Sequence, residues 1–146
     1  FTVKRKIIRY AQPYNRLLLC YMNYFPIQSI MFHRSLYEKC GGFDEQIDVL
    51  EDWDMWLRYS VVCKFHYIPQ ITSIYYTPYK SNRKRERDIS MKKAEVEIAK
   101  KNSTLNICMN AEEIYYEMDY ILNRFTKKGI AFYLKKARDF LLYKDI

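Results

Sequence analysis

Two carboxylates stand side by side at Glu51 and Asp52, a third follows at Asp54, and a guanidinium comes four residues later at Arg58. Carboxylates can accept a proton or hold a cation, and spacing decides which. Leu50, Trp53, Leu57 and Val61 recur at helical intervals, which predicts a helix from about Leu50 to Cys63 with these residues on one face. Glu51 and Asp52 then occupy its first turn, where unpaired N–H groups and the helix dipole favour negative charge. A carboxylate held there stays ionised at neutral pH, as a general base must. Asp52 and Asp54 also spell Asp-x-Asp, a pattern that can serve divalent cations. Residues two apart on a helix point about 200° away from each other, so these two cannot chelate one ion. Asp54 and Arg58, four apart, can pair instead. The plain alternative for Glu51-Asp52 is an acidic first turn on an ordinary amphipathic helix.

The elements that must position this helix lie on both sides of it. Upstream, Gly41-Gly42 marks a sharp turn with Phe43 as its apolar anchor. Before the turn, Ser35–Cys40 fits a short helix with Ser35 as N-cap and Glu38 at the capping-box position. Ile27–Arg34 reads as a buried strand, entered through Pro26, which pushes Phe25 into an extended conformation. Downstream, Lys64–Ile68 and Ile71–Thr77 read as two short strands around Pro69-Gln70, a hairpin or a pair of edge strands.

Taken together, these stretches resemble the acceptor-side motif of the family 2 glycosyltransferases, which have the nucleotide-sugar-binding GT-A fold. The matching elements are the run Ile27–Arg34, the short helix Ser35–Cys40, Gly41-Gly42-Phe43-Asp44-Glu45, then Glu51-Asp52-Trp53-Asp54 and Leu57-Arg58. The likeness covers residues 13–78. It implies an α/β fold, here an α-rich fragment: part of a GT-A domain with a small sheet, followed by C-terminal helices. It implies an inverting transfer of a sugar from a nucleotide diphosphate sugar to a glycan or lipid-linked acceptor. Asp52 would be the catalytic base, with Glu51 second to it. Trp56 and Asp44 would face the acceptor, Trp56 because an aromatic ring suits the C–H side of a pyranose, while Trp53 belongs to the core with Leu57. Lys80 or Arg83 would meet the diphosphate. In that family a separate Asp-x-Asp holds Mg²⁺ or Mn²⁺. No second Asp-x-Asp occurs here, so the metal and nucleotide half is expected to lie outside this chain, no metal is expected on this fragment, and the fragment by itself is expected to be inactive.

Composition bounds the remaining readings. The 146 residues amount to one domain's worth of chain, and an apolar share of 49% is enough for a core. Only three glycines argue against a complete nucleotide-binding domain with tight turns at phosphates. The cysteines Cys20, Cys40, Cys63 and Cys108 form no zinc-knuckle or Cys-x-x-Cys spacing and fit small core residues in a reducing cytosol. His33 and His66 lack ligand spacing. No secretory signal opens the sequence and no window is apolar enough to span a membrane. A boundary falls near residue 79, dividing 1–79, the acceptor-side part, from 80–146, a basic α-helical region. Between 80 and 101, nine Lys or Arg stand against four Asp or Glu. That stretch reads as a solvated helix, as a face for anionic lipid near a lipid-linked acceptor, or as a nucleic-acid contact. Helices are expected at 111–126, capped by Asn110, and at 130–143, where Lys127, Lys128, Lys135, Lys136 and Arg138 flank an apolar face.

Sequence alone therefore points to a cytoplasmic glycosyltransferase fragment, in peripheral contact with a membrane or dimerised over apolar surface. Two alternatives from other classes stand beside it: a non-catalytic helical interaction module, and a basic nucleic-acid-binding domain. The second has no motif behind it beyond charge.

Overall fold

The computed structural model describes residues 12–74 and 84–124. Five α-helices carry this part of the chain: α1 (Arg16–Tyr21), α2 (Arg34–Cys40), α3 (Glu51–Val62), α4 (Lys84–Lys101) and α5 (Ala111–Arg124). A single 3₁₀ turn, Ile27–Ser29, lies between α1 and α2.

The centre is α3. Trp53, Met55, Trp56, Leu57 and Tyr59 are all buried and meet Leu18 and Leu19 of α1, Tyr24 of the following loop, and Ala94 and Ile98 of α4 in one cluster. Residues on both sides of the compositional break near 79 thus share a core. Burial on this scale follows from an apolar content that wraps most of the helix rather than one stripe. Val61, expected on the buried face, lies at the helix end and is exposed. Ring edges meet ring faces around Trp56, which lies against Tyr59 at 5.9 Å and against Phe65 at 6.1 Å between centroids.

Local signals explain where helices start. The Asn15 side chain accepts from Leu18 N–H at 2.7 Å and caps α1. Its own backbone is held by the buried Tyr24 hydroxyl, which accepts from Asn15 N–H at 2.7 Å and donates to Asn15 C=O at 3.0 Å. At α5 the capping box is complete: Glu113 N–H reaches Asn110 Oδ1 at 2.8 Å, and Asn110 N–H reaches Glu113 Oε2 at 3.1 Å. For α2 the cap is His33, two residues earlier than the expected Ser35. Its Nδ1 accepts from Ser35 N–H at 3.2 Å.

The expected α/β architecture does not hold. No strand or sheet occurs among the described residues, and this part of the chain is helical. Ile27–Arg34, read as a buried strand, instead winds into the 3₁₀ turn and then runs irregularly to α2. Pro26 sets the entry, and the Ser29 hydroxyl donates to Pro26 C=O at 2.7 Å, competing with any ladder. Met31, in the middle of that run, is 92% exposed. Lys64–Ile68 and the described part of Ile71–Thr77 form no ladder either, and Ile68, Ile71 and Ile74 are exposed. An extended segment becomes a strand only when a neighbour takes its N–H and C=O groups, and these segments have none among the described residues. The expected partial GT-A domain with a sheet is thus replaced by a helical assembly around α3. The helix expected at 130–143 lies outside the described residues.

Candidate functional site

Entry to α3 is unusual. Leu50, its N-cap residue, has φ 65° and ψ 23° and makes no side-chain cap. It is the only non-glycine residue with positive φ among those described. A branched side chain in that region carries a cost of about 1–2 kcal/mol, sustained here by packing of Leu50 against the core.

Asp52 follows directly. Its Oδ1 accepts from Trp53 N–H at 2.8 Å and from Asn23 Nδ2 at 2.9 Å. Its Oδ2 meets no side-chain donor among the described residues. Burial pushes the carboxyl above the ordinary aspartate value. The bonds from Asn23 and Trp53 pull the other way without cancelling it, and neighbouring Glu51 adds to the rise. The result is a half-buried carboxylate with Oδ1 oriented by two donors, Oδ2 free of side-chain donors among the described residues, and a stronger appetite for a proton than a solvated aspartate. Glu51 sits beside it, also half-buried.

Asp54, two residues on, is 0% exposed and fully engaged. Its Oδ2 takes Arg58 Nε at 3.0 Å and Lys101 Nζ at 2.9 Å, and its Oδ1 takes Asn102 Nδ2 at 2.8 Å. Arg58 continues the network. Its guanidinium donates to Cys40 C=O, to Gly42 C=O at 2.6 Å and, more weakly, to Gly41 C=O at 3.4 Å. Those carbonyls end α2 and begin the Gly-Gly turn. The turn needs glycine at Gly41, whose φ is 78°, and at Gly42, where a Cβ would overlap the Tyr37 ring. The Tyr59 hydroxyl donates to Gly41 C=O at 3.1 Å. Asp54 and Arg58 therefore form the expected pair, and the pair fastens the glycine turn to α3 and α3 to the end of α4.

The other candidate residues are dispersed. Asp44 is tied down: its Oδ1 accepts from Gln46 N–H at 3.0 Å and its Oδ2 from Lys101 Nζ at 2.6 Å. The Lys101 hydrogen bond, then the Gln46 N–H, hold the Asp44 carboxyl below its ordinary value. Burial works against the Lys101 ammonium, but its bonds to Asp44 and Asp54 outweigh that and hold it above its ordinary value. Trp56, expected near an acceptor, is 1% exposed and lies inside the aromatic core with Trp53. Its Nε1 has no partner among the described residues, whereas Trp53 Nε1 donates to Leu19 C=O at 2.7 Å. Lys80 and Arg83 lie outside the described residues.

Asp52 borders neither of two clefts present among the described residues. One, of about 180 Å³, lies between α3 and residues 99–107, and the other, of about 280 Å³, between α1 and α5. Nor do the described residues suit a divalent cation: no group of three or more His, Cys, Asp or Glu converges among them. Asp52 and Asp54 turn to different partners, as helical geometry requires. No helix among the described residues is long and apolar enough to cross a membrane.

Sequence reasoning missed Asn23, the side chain that orients Asp52 from 29 residues away. It also missed Lys101 and Asn102, whose place opposite Asp54 depends on a helix returning to the core. The only hint was their position where the helical spacing of Ala94 and Ile98 runs out. No family model, curated protein or solved structure matches this chain.

Proposed function

We propose that this chain is the acceptor-side part of an inverting glycosyltransferase, with Asp52 as its general base. Asp52 Oδ2 would take the proton of an acceptor hydroxyl as that oxygen bonds to the anomeric carbon of the donor sugar. The bond from that carbon to the nucleoside diphosphate breaks at the same time, and the diphosphate leaves with the electron pair. Asn23 and Trp53 N–H hold Oδ1, so the open oxygen keeps a fixed direction. The observation that carries this reading is the state of Asp52: a half-buried carboxyl with a raised pKa, one oxygen held and the other open, behind a strained residue. General bases are tuned upward in this way. The ordered motif from Gly41 to Arg58 supplies the reaction class. Donor nucleotide and Mg²⁺ or Mn²⁺ would be held by residues other than the described ones.

Acceptor-dependent release of nucleoside diphosphate from the natural polypeptide, over a panel of nucleotide sugars and glycan acceptors, tests the reading. Asp52→Asn keeps the Oδ1 acceptor and should cut the rate about a hundredfold or more while leaving donor affinity nearly intact. An Asp52→Asn protein that transfers sugar at the parental rate removes Asp52 from this role.

The non-catalytic alternative draws on a different feature. Ile114, Met118 and Leu122 form an exposed apolar row on α5, at the spacing a partner helix would read. Wild-type protein with no transfer activity over the whole panel would favour that alternative.

A further inference from the structure

The cleft of about 280 Å³ between α1 and α5 contains a buried cation that its own chain leaves partly unused. Arg16 is 7% exposed. Its Nε donates to the Tyr14 hydroxyl at 3.1 Å and its Nη1 to Cys108 C=O at 2.9 Å, which fixes the guanidinium plane. Its Nη2 has no partner among the described residues, and Arg16 forms no ion pair there. Glu117 and Glu113 favour its charge without closing on it, and an N–H held on a fixed fork beside a cleft can donate to a ligand oxygen there.

Two other groups in the same cleft are half-used. Glu117 Oε2 accepts from Leu17 N–H at 2.8 Å, while its Oε1 has no partner among the described residues. The Tyr14 oxygen accepts from Arg16, so its own O–H remains free to donate. Burial pushes that phenol up to about 12, which keeps it protonated. On the rim Lys64 and Glu113 neutralise each other, and the exposed ring of Tyr116 supplies an apolar wall.

We propose that this cleft binds a single neutral sugar ring, with a ligand oxygen on Arg16 Nη2, a ligand hydroxyl on Glu117 Oε1, and the ring's C–H face against Tyr116. Charge selects the class. Arg16 and Lys64 balance Glu113 and Glu117, so a free anion or cation gains no net attraction. A polyol, which both donates and accepts, satisfies every open group. In size, a cleft of about 280 Å³ accommodates one ring. This inference does not rest on Asp52 acting as a base.

The test is NMR titration of the natural polypeptide, followed on its tyrosine rings, with glucose and N-acetylglucosamine as probes and with inorganic phosphate and glycine as competitors. Saturable shifts at Tyr14 and Tyr116 are expected with at least one sugar at about millimolar affinity, the scale for one small ring. Tyr116→Ala should weaken binding about tenfold. Glu117→Gln, which keeps an oxygen for Leu17 N–H, should weaken it about threefold. Tyr37→Ala, on α2, should not change it. No saturable shift with either sugar, tighter binding of phosphate or glycine, or equal loss from Tyr37→Ala and Tyr116→Ala would each overturn the proposal. Transfer activity is a separate readout: sugar binding without transfer leaves this inference standing, and an Asp52-dependent transfer without binding here leaves only the proposed function.

Discussion

Asp52 and Asp54 lie two residues apart on α3 and end in opposite surroundings. Asp54 is sealed and meets two cations and an amide. Asp52 is half-buried, meets no cation among the described residues, and has one oxygen held by neutral donors. The helix makes this division possible, because a step of two residues crosses from one face to the other. A carboxylate surrounded by cations has its charge compensated and serves as a fastening. One partly desolvated without a cation is less stable as an anion and takes a proton more readily. The same four-residue string, Glu-Asp-Trp-Asp, thus supplies a fastening and a candidate base.

Substitutions can break this contrast, beginning with the largest expected effect. Asp54→Ala strands Arg58 and Lys101 and should destabilise the fold by roughly 3–5 kcal/mol, or about 10 °C in Tm, in thermal denaturation. Arg58→Ala should cost roughly 2–3 kcal/mol, because it removes one of Asp54's partners and the donor for three carbonyls at the glycine turn. Arg58→Lys should recover only part of it, since an ammonium lacks the planar fork. If either change leaves Tm within about 1 °C of wild type, the fastening role is wrong. Asn23→Ala should cost only about 1 kcal/mol, and it should raise the Asp52 pKa further because it removes a bond to the ionised form.

Asp44, inside the network, and Asp52, outside it, answer pH with opposite sign. Asp44 is held below the ordinary carboxylate value, so its contribution is present above that value and is lost as pH falls through its lower folded value. Asp52 is held above the ordinary value, so the folded chain binds its proton more tightly than the unfolded chain does. Its ionisation therefore costs stability, and the cost appears as pH rises from the ordinary value through the folded one. Asp52→Asn should accordingly melt at the same temperature as wild type, or higher, at neutral pH. A lower Tm for Asp52→Asn, of the size seen for Asp54→Ala, would erase the contrast.

Much of the helical frame was legible. The three- and four-residue recurrence around Leu57 placed α3, Asn110 with acids in the next turn placed α5, and the four-residue step from Asp54 to Arg58 gave their pair. The sheet was not legible because it is not there among the described residues. Ile27–Phe32 and Lys64–Ile74 are apolar enough for strands, but apolar runs this short do not specify a ladder partner. Pro26 and Ser29 close a turn locally instead. Trp53 was expected in the core and Trp56 at the acceptor, but both are buried in one cluster, because the apolar residues wrap most of the helix. Asn23 and the Arg16–Glu117 cleft depend on chain returns across 29 and about 100 residues, which no local spacing encodes.

Everything turns on whether Asp52, apart from the cations that meet Asp54, is poised to take a proton. A carboxyl-carbon NMR titration of the wild-type protein measures this directly. The Asp52 midpoint should lie above that of a solvated aspartate and rise further in Asn23→Ala. An Asp52 midpoint at or below the solvated value would contradict it.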